Sequence, residues 1–235
     1  MRPRTLEAHR IVTFSLVARS SDAKQFGMAI ASSSPAVAAR CAHALAGAGV
    51  VATQNITDPA LGPRILRALA AGATAQTALA QALESTPHAA YRQLLVMGRT
   101  GPPALHTGSQ ALGIAGTAAG ADCAAAGNLL AGAEIPAAMV AAFEAAPGHF
   151  GARLLEALRA GAEHGGEAGP VRSAGLLVVR EVSWPIIDLR VDWSDADPIA
   201  ALAALWELYA PQIEDYVRRA LNPGEAPTFG VPGNP

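Results

Sequence analysis

Apolar and polar side chains alternate along Ile11-Val12-Thr13-Phe14-Ser15-Leu16-Val17-Ala18-Arg19, and that period of two predicts a β-strand. A polar turn at 20–25 separates it from a second strand-like run, Phe26-Gly27-Met28-Ala29-Ile30-Ala31. The Ala-rich stretch 35–46 reads as a helix or a packed connection, and Gly49-Val50-Val51-Ala52-Thr53-Gln54 as a third strand. Asp58 is placed to cap a helix that begins at Pro59 and runs to residue 71. Gly72 ends it, and Thr74 caps a second helix through Leu83, which makes a helical hairpin. Strands return at 93–98 and 104–107 around the turn Arg99-Thr100-Gly101, with short β segments at 113–116 and 123–126.

A second helix pair is predicted at 134–145 and 149–162, split by Pro147-Gly148. After a glycine loop at 165–169, runs 173–182 and 186–191 make a hairpin-like strand pair. Asp197-Pro198 opens one long final helix to about Leu221, with Leu202, Leu205, Trp206, Tyr209 and Ile213 at three- and four-residue spacing. Strands and helices thus come in blocks rather than in βαβ alternation. That order predicts an α+β fold, two antiparallel sheets packed together with helices on both outer faces. The expected division is an N-terminal extension at 1–12, one domain over 13–221, and a Pro/Gly-rich tail at 222–235.

Composition narrows the function classes. Of the 235 residues, 51% are hydrophobic and 15% charged, which marks a globular chain able to bury a sizeable core. A net charge of −2 with dispersed arginines offers no electrostatic footprint, so nucleic acid is not an expected partner. The Ala-rich stretches are broken by Gly, Pro and charges, so no membrane partner is expected. The first ten residues lack the apolar segment of a secretory signal, and a cytoplasmic protein is the default. Cys41 and Cys123 stand alone, the six histidines are scattered, and no phosphate-binding loop appears, so no metal or cofactor is implied.

Four polar groups interrupt the apolar background. Ser32-Ser33-Ser34 follows the second strand, as turn formers or as donors at a cleft mouth. Gln54 and Asn55 sit in Thr53-Gln54-Asn55-Ile56-Thr57-Asp58, where they serve a loop or bind an amide or carboxylate. Asn128, in Gly127-Asn128-Leu129-Leu130-Ala131-Gly132, suits an oxyanion hole or a left-handed turn. Arg172 and Ser173 follow the glycine loop, and Asp188, Arg190 and Asp192 share one strand face. Thr13 adds a fifth candidate. A cut before it would free an α-amine with a pKa near 8 on the residue that carries the hydroxyl, so one residue would supply nucleophile and base.

Six segments in order, the four strand and loop motifs around Thr13, Gly27, Gly49 and Gly127 together with Leu61-Gly62-Pro63-Arg64 and Arg172-Ser173-Ala174-Gly175-Leu176, resemble an uncharacterised family. That family, a domain of unknown function, is placed in the N-terminal-nucleophile hydrolase superfamily, and the resemblance runs from about Thr13 to Tyr209. It implies an αββα four-layer sandwich with the nucleophile at the head of the first strand, here Thr13. Relatives usually begin with Met directly before this threonine. Here twelve residues precede it, so activation requires cleavage between Val12 and Thr13. Many relatives also carry a basic residue after Ser32, where this chain has Ser33. Losing that charge costs on the order of 1–3 kcal/mol of transition-state stabilisation unless Arg19 or Arg172 compensates.

The leading expectation is a small-molecule amide (C–N) hydrolase in which Thr13 attacks and Asn128 holds the oxyanion. Ser32, Ser33, Gln54, Asn55, Arg172 and Ser173 would shape the substrate pocket. The alternative is a non-catalytic binding or assembly protein with Thr13 blocked. The apolar last helix, with Trp206, Tyr209 and Tyr216, suggests a homodimer.

Overall fold

The computed structural model describes residues 13–227. Among these residues ten strands form two sheets. One has six strands: β1 (Thr13–Arg19), β2 (Phe26–Ser32), β7 (Gly116–Ala119), β8 (Cys123–Asn128), β9 (Ser173–Val179) and β10 (Ile187–Val191), ordered β10-β9-β2-β1-β8-β7. The other has four: β3 (Ala42–Leu45), β4 (Gly49–Asn55), β5 (Arg92–Gly98) and β6 (Ala104–Thr107), in sequence order. Every pairing between these strands is antiparallel.

Three apolar clusters divide the molecule into four layers. Phe14, Leu16 and Ala18 on one face of β1 meet Met139 and Phe143 of α4 (Ile135–Ala145), Leu154 and Leu158 of α5 (Phe150–Glu163), and Leu202 of α6 (Pro198–Tyr209). Val17, Met28, Ile30 and Ala126 face Val50, Ala52, Leu95 and Met97 across the gap between the sheets. On the far side Val51, Leu94 and Val96 pack on α2 (Leu61–Ala70) and α3 (Ala75–Glu84). The α+β expectation of two packed antiparallel sheets with helices outside therefore holds.

Several expected elements take a different form. Residues 35–46 give only a one-turn helix, α1 (Val37–Cys41), and then the edge strand β3. Six alanines in that stretch favour a helix locally, but pairing of Ala42 through Leu45 with β4 overrides the preference. Asp58 accepts from Ala60 N in a turn that precedes the helix, so α2 starts at Leu61 with Ala60 as its N-cap. The short β segment expected at 113–116 starts instead at Gly116, and β9 stops at Val179, three residues early. The final helix is two helices. Pro211, within a 3₁₀ turn at Ala210–Gln212, has no N–H for the ladder, and α7 (Ile213–Leu221) starts afresh beyond it. Thr74 and Asp197 cap α3 and α6 as expected.

Candidate functional site

Strand parity assembles the site. In the gap between the sheets, Val17 alternates back along β1 to Ser15 and Thr13, and Ile30 of β2 leads to Ser32. Ala126 of β8 leads to Asn128, Ala52 of β4 to Gln54, and Leu95 of β5 to Gln93. The inter-sheet layer is thus apolar for most of its length and polar at one end. All six of these polar residues are buried. Buried amides and hydroxyls survive in such a place only by bonding to one another.

They do so in two chains. In the first, Ser15 Oγ donates to Gln54 Oε1 at 2.6 Å, Gln54 Nε2 to Gln93 Oε1 at 2.8 Å, and Gln93 Nε2 to Gly127 O at 3.0 Å and Thr107 Oγ1 at 3.1 Å. A backbone carbonyl only accepts, so Gly127 O fixes which end of Gln93 is nitrogen, and Gln93 in turn fixes Gln54. Asn128 Nδ2 then donates to Gln93 Oε1 at 3.2 Å, with a long contact of 3.5 Å to Thr13 O. Its Oδ1 is buried without a hydrogen-bond partner among the described residues.

The second chain runs to the surface. Thr13 Oγ1 donates to Ser32 Oγ at 3.2 Å, Ser32 and Ser34 hydroxyls lie 2.9 Å apart, and Arg40 Nη2 donates to Ser34 Oγ at 2.8 Å. Arg40, on α1, thereby reaches Thr13 through two hydroxyls. Neither arginine considered as a substitute for the family's basic residue does so. Arg19 lies at the opposite end of β1 on Asp122, and Arg172 is held outward by Asp195 and over the Trp193 ring.

Thr13 is 2% exposed and pairs in register with Ser32 on one side and Asn128 on the other. Of the remaining sequence candidates, Ser33 is buried at the end of β2, and Ser173 anchors the serine loop by donating to Ser34 O at 2.6 Å and accepting from Val37 N at 3.2 Å. Arg172 contributes its backbone N–H to Ser32 O at 2.8 Å. Asn55 stands apart. Its amide donates to Tyr91 O at 2.6 Å and accepts from Leu112 N at 3.1 Å, so both ends are spent on loop backbone, at a positive φ of 68°. The left-handed turn considered for Asn128 is also displaced by one residue: Leu129 takes the positive φ, 49°, and Asn128 closes β8.

Glu167 is a site residue that the sequence reading missed. Gly165 and Gly166, both at positive φ, turn the chain after α5 so that it runs back along the end of β8. Ala131 N donates to Gly166 O at 3.1 Å, Ala168 N to Leu129 O at 3.0 Å, and Leu130 bridges Glu167. The Glu167 carboxyl is buried against Ser33. Burial dominates and pushes its pKa up to about 9, eased slightly by the Ser33 N–H and hydroxyl. Neither oxygen reaches hydrogen-bond geometry with a partner among the described residues. The only sequence signal was an acidic residue inside a glycine loop, which reads equally as solvated surface. Gln93 was missed as well, although the parity it shares with Leu95 and Met97 could have found it. Elsewhere, burial raises both thiols, Cys123 to about 12, which makes them poor nucleophiles. No group of three metal-ligating side chains occurs among the described residues, and no helix there is long and apolar enough to cross a membrane.

Comparison with known proteins fixes the family but not the reaction. Residues 13–202 match a family of unknown function, DUF1028. The chain belongs to that family. A crystal structure of a DUF1028 protein from Silicibacter pomeroyi is similar, at 30% identity and a TM-score of 0.79 over 87% of this chain and 94% of that one. No curated protein matches the chain. The match begins at Thr13, the first residue of β1 and the residue on which both hydrogen-bonded chains converge.

Proposed function

We propose that this DUF1028 chain is an N-terminal-nucleophile hydrolase that cleaves a small-molecule amide C–N bond, with Thr13 as nucleophile once residues 1–12 are removed. The observation that carries this reading is the Thr13 hydroxyl, buried at the head of a central strand, bonded to Ser32 and flanked in register by Asn128. A strand residue that only filled space would not need a relay of two hydroxyls to Arg40.

In this mechanism the freed α-amine takes the Thr13 hydroxyl proton as Oγ1 bonds to the substrate carbonyl carbon. Asn128 Nδ2 exchanges its long contact with Thr13 O for the developing oxyanion, and Arg40, acting through Ser34 and Ser32, supplies the positive field that Ser33 does not. The C–N bond then breaks, the amine's proton passes to the leaving nitrogen, and water hydrolyses the Thr13 ester. Ser32, Ser33 and Gln54 line the carbonyl side, and Ser173 and Arg172 hold the serine loop.

Intact-mass measurement of purified protein tests this reading, together with amine release from a panel of small amides. Loss of residues 1–12 with turnover that vanishes in Thr13→Ala supports it. A full-length species without turnover points instead to a binding or assembly protein of the same fold. We further propose that the chain self-associates through the α6–α7 face, where Leu205, Leu208, Tyr216 and Leu221 are exposed. Trp206, expected on this surface, lies instead in the core against Gly151 and His149. A monomer mass by light scattering at micromolar concentrations would refute self-association.

A further inference from the structure

The groups around the head of β1 are unbalanced in their hydrogen-bonding capacity. Among the described residues, no donor reaches hydrogen-bond geometry with buried Asn128 Oδ1 or with either oxygen of Glu167, the Ser33 N–H and hydroxyl lying near the carboxyl without meeting it. Such groups are costly to bury unless something donates to them in the working state. Their placement is specific. Glu167 is carried by the loop that follows α5 and bridges Leu130 just beyond β8, yet its carboxyl lies at Ser33, the residue that follows β2. Strand β1 runs between β8 and β2, so a residue anchored beside Leu130 and reaching Ser33 spans the two neighbours of β1 just beyond their pairing with Thr13. Asn128, paired with Thr13, sits on the same end. Among the described residues no lysine or arginine makes an ion pair with Glu167; Arg40 is committed to Ser34 and Pro35 O, and Arg172 to Asp195.

We propose that Glu167 and Asn128 Oδ1 form a binding site for a primary ammonium group at the head of β1. A primary ammonium offers three donors and one positive charge, which matches three orphaned acceptor oxygens of which two belong to one carboxylate. The group has two sources with one chemistry: the α-ammonium of Thr13 itself after cleavage, or an amine on the substrate. In the first case Glu167 positions the amine that moves the proton, and in the second it selects cationic substrates. The inference rests on the Thr13 reading only in its first form.

The site makes a prediction independent of turnover. An empty, buried Glu167 holds its proton well above the ordinary carboxylate range, and an ammonium beside it must drive that proton off. The experiment uses protein labelled with carbon-13 at the glutamate δ-carboxyl, with the Glu167 resonance assigned from Glu167→Gln. Residues 9–12 are replaced by a factor Xa recognition sequence, so that the folded full chain can be cut directly before Thr13. Uncut protein should show Glu167 titrating near 9. A fall of two or more pH units on cutting alone identifies the α-ammonium as the occupant. A fall only on adding propylammonium, and not tetramethylammonium at equal ionic strength, identifies a substrate amine, because the quaternary ion carries charge but no N–H. Two results overturn the proposal: ordinary carboxylate titration in the uncut chain, or a value still near 9 after both cutting and propylammonium. Thr13→Ala retains the α-amine, so loss of its turnover tests the nucleophile while the carboxyl titration tests the ammonium site.

Discussion

The two ends of β1 solve the same problem in opposite ways. At the Arg19 end a guanidinium 13% exposed meets Asp122 at 2.8 Å and the carbonyls of Gly98 and Gly101 at 3.1 and 2.8 Å, so it ties the two sheets together with its donors matched to acceptors. At the Thr13 end, Asn128 and Glu167 leave acceptors unmatched. Both ends are polar caps on the same apolar layer. One is closed by the protein alone, whereas the other has room in its bonding for a donor from elsewhere. On the proposed reading the matched end serves stability and the unmatched one chemistry.

The largest test of that contrast is Thr13→Ala, which should remove several decades of amide turnover while leaving the thermal transition near wild type. Thr13→Ser, which keeps a hydroxyl, should retain measurable rate. Asn128→Ala should follow, at about 2.7–4 kcal/mol of transition-state stabilisation, or a hundredfold or more in turnover. Because Asn128 is extended rather than left-handed, Asn128→Gly should be as slow as Asn128→Ala. A Gly variant with wild-type turnover would remove Asn128 from the chemistry.

At the matched end Arg19→Met should act in reverse, costing about 1.5–3 kcal/mol of folding stability in denaturant titration while turnover per folded molecule holds. Equal losses of activity and stability would erase the distinction between the ends. The smallest effect, taken per pH unit, concerns pH. A carboxyl whose folded pKa is raised to about 9 binds its proton more tightly in the folded chain than in the unfolded one. Its contribution therefore lowers stability as pH rises from the ordinary carboxylate value toward 9, by at most about 1.4 kcal/mol per pH unit, and levels off above that. Glu167→Gln removes the titration, so the stability of the variant relative to wild type should improve steadily between pH 5 and pH 9. A pH-independent difference would contradict the burial of an unmatched carboxyl.

Much of this was legible beforehand, for identifiable reasons. Period-two alternation located β1, short apolar runs bounded by turn residues located β2, β4, β5 and most of β8, and Thr13, Ser32, Gln54 and Asn128 fall together because each continues an inward-facing apolar parity. What escaped depended on contacts remote in sequence. Glu167 reaches the site only because Leu130 pairs with it across a glycine turn, and Arg40 only because a one-turn helix stands where alanines suggested a longer one. Asn55 carried the right chemistry next to the right strand, but its backbone reverses there and takes the amide with it.

The carbonyl of Gly127 has one more consequence. It sets the direction of the whole amide relay, yet no side-chain substitution can change an oxygen of the main chain. Converting Gln93 to glutamate would place a carboxylate oxygen against that carbonyl, and no change at Gln54 or Asn128, which already donate to the other oxygen, could restore alternation while residue 93 stays acidic. The three amides are therefore bound as one heritable unit: single replacements disrupt it, and drift among relatives should show them changing together or not at all.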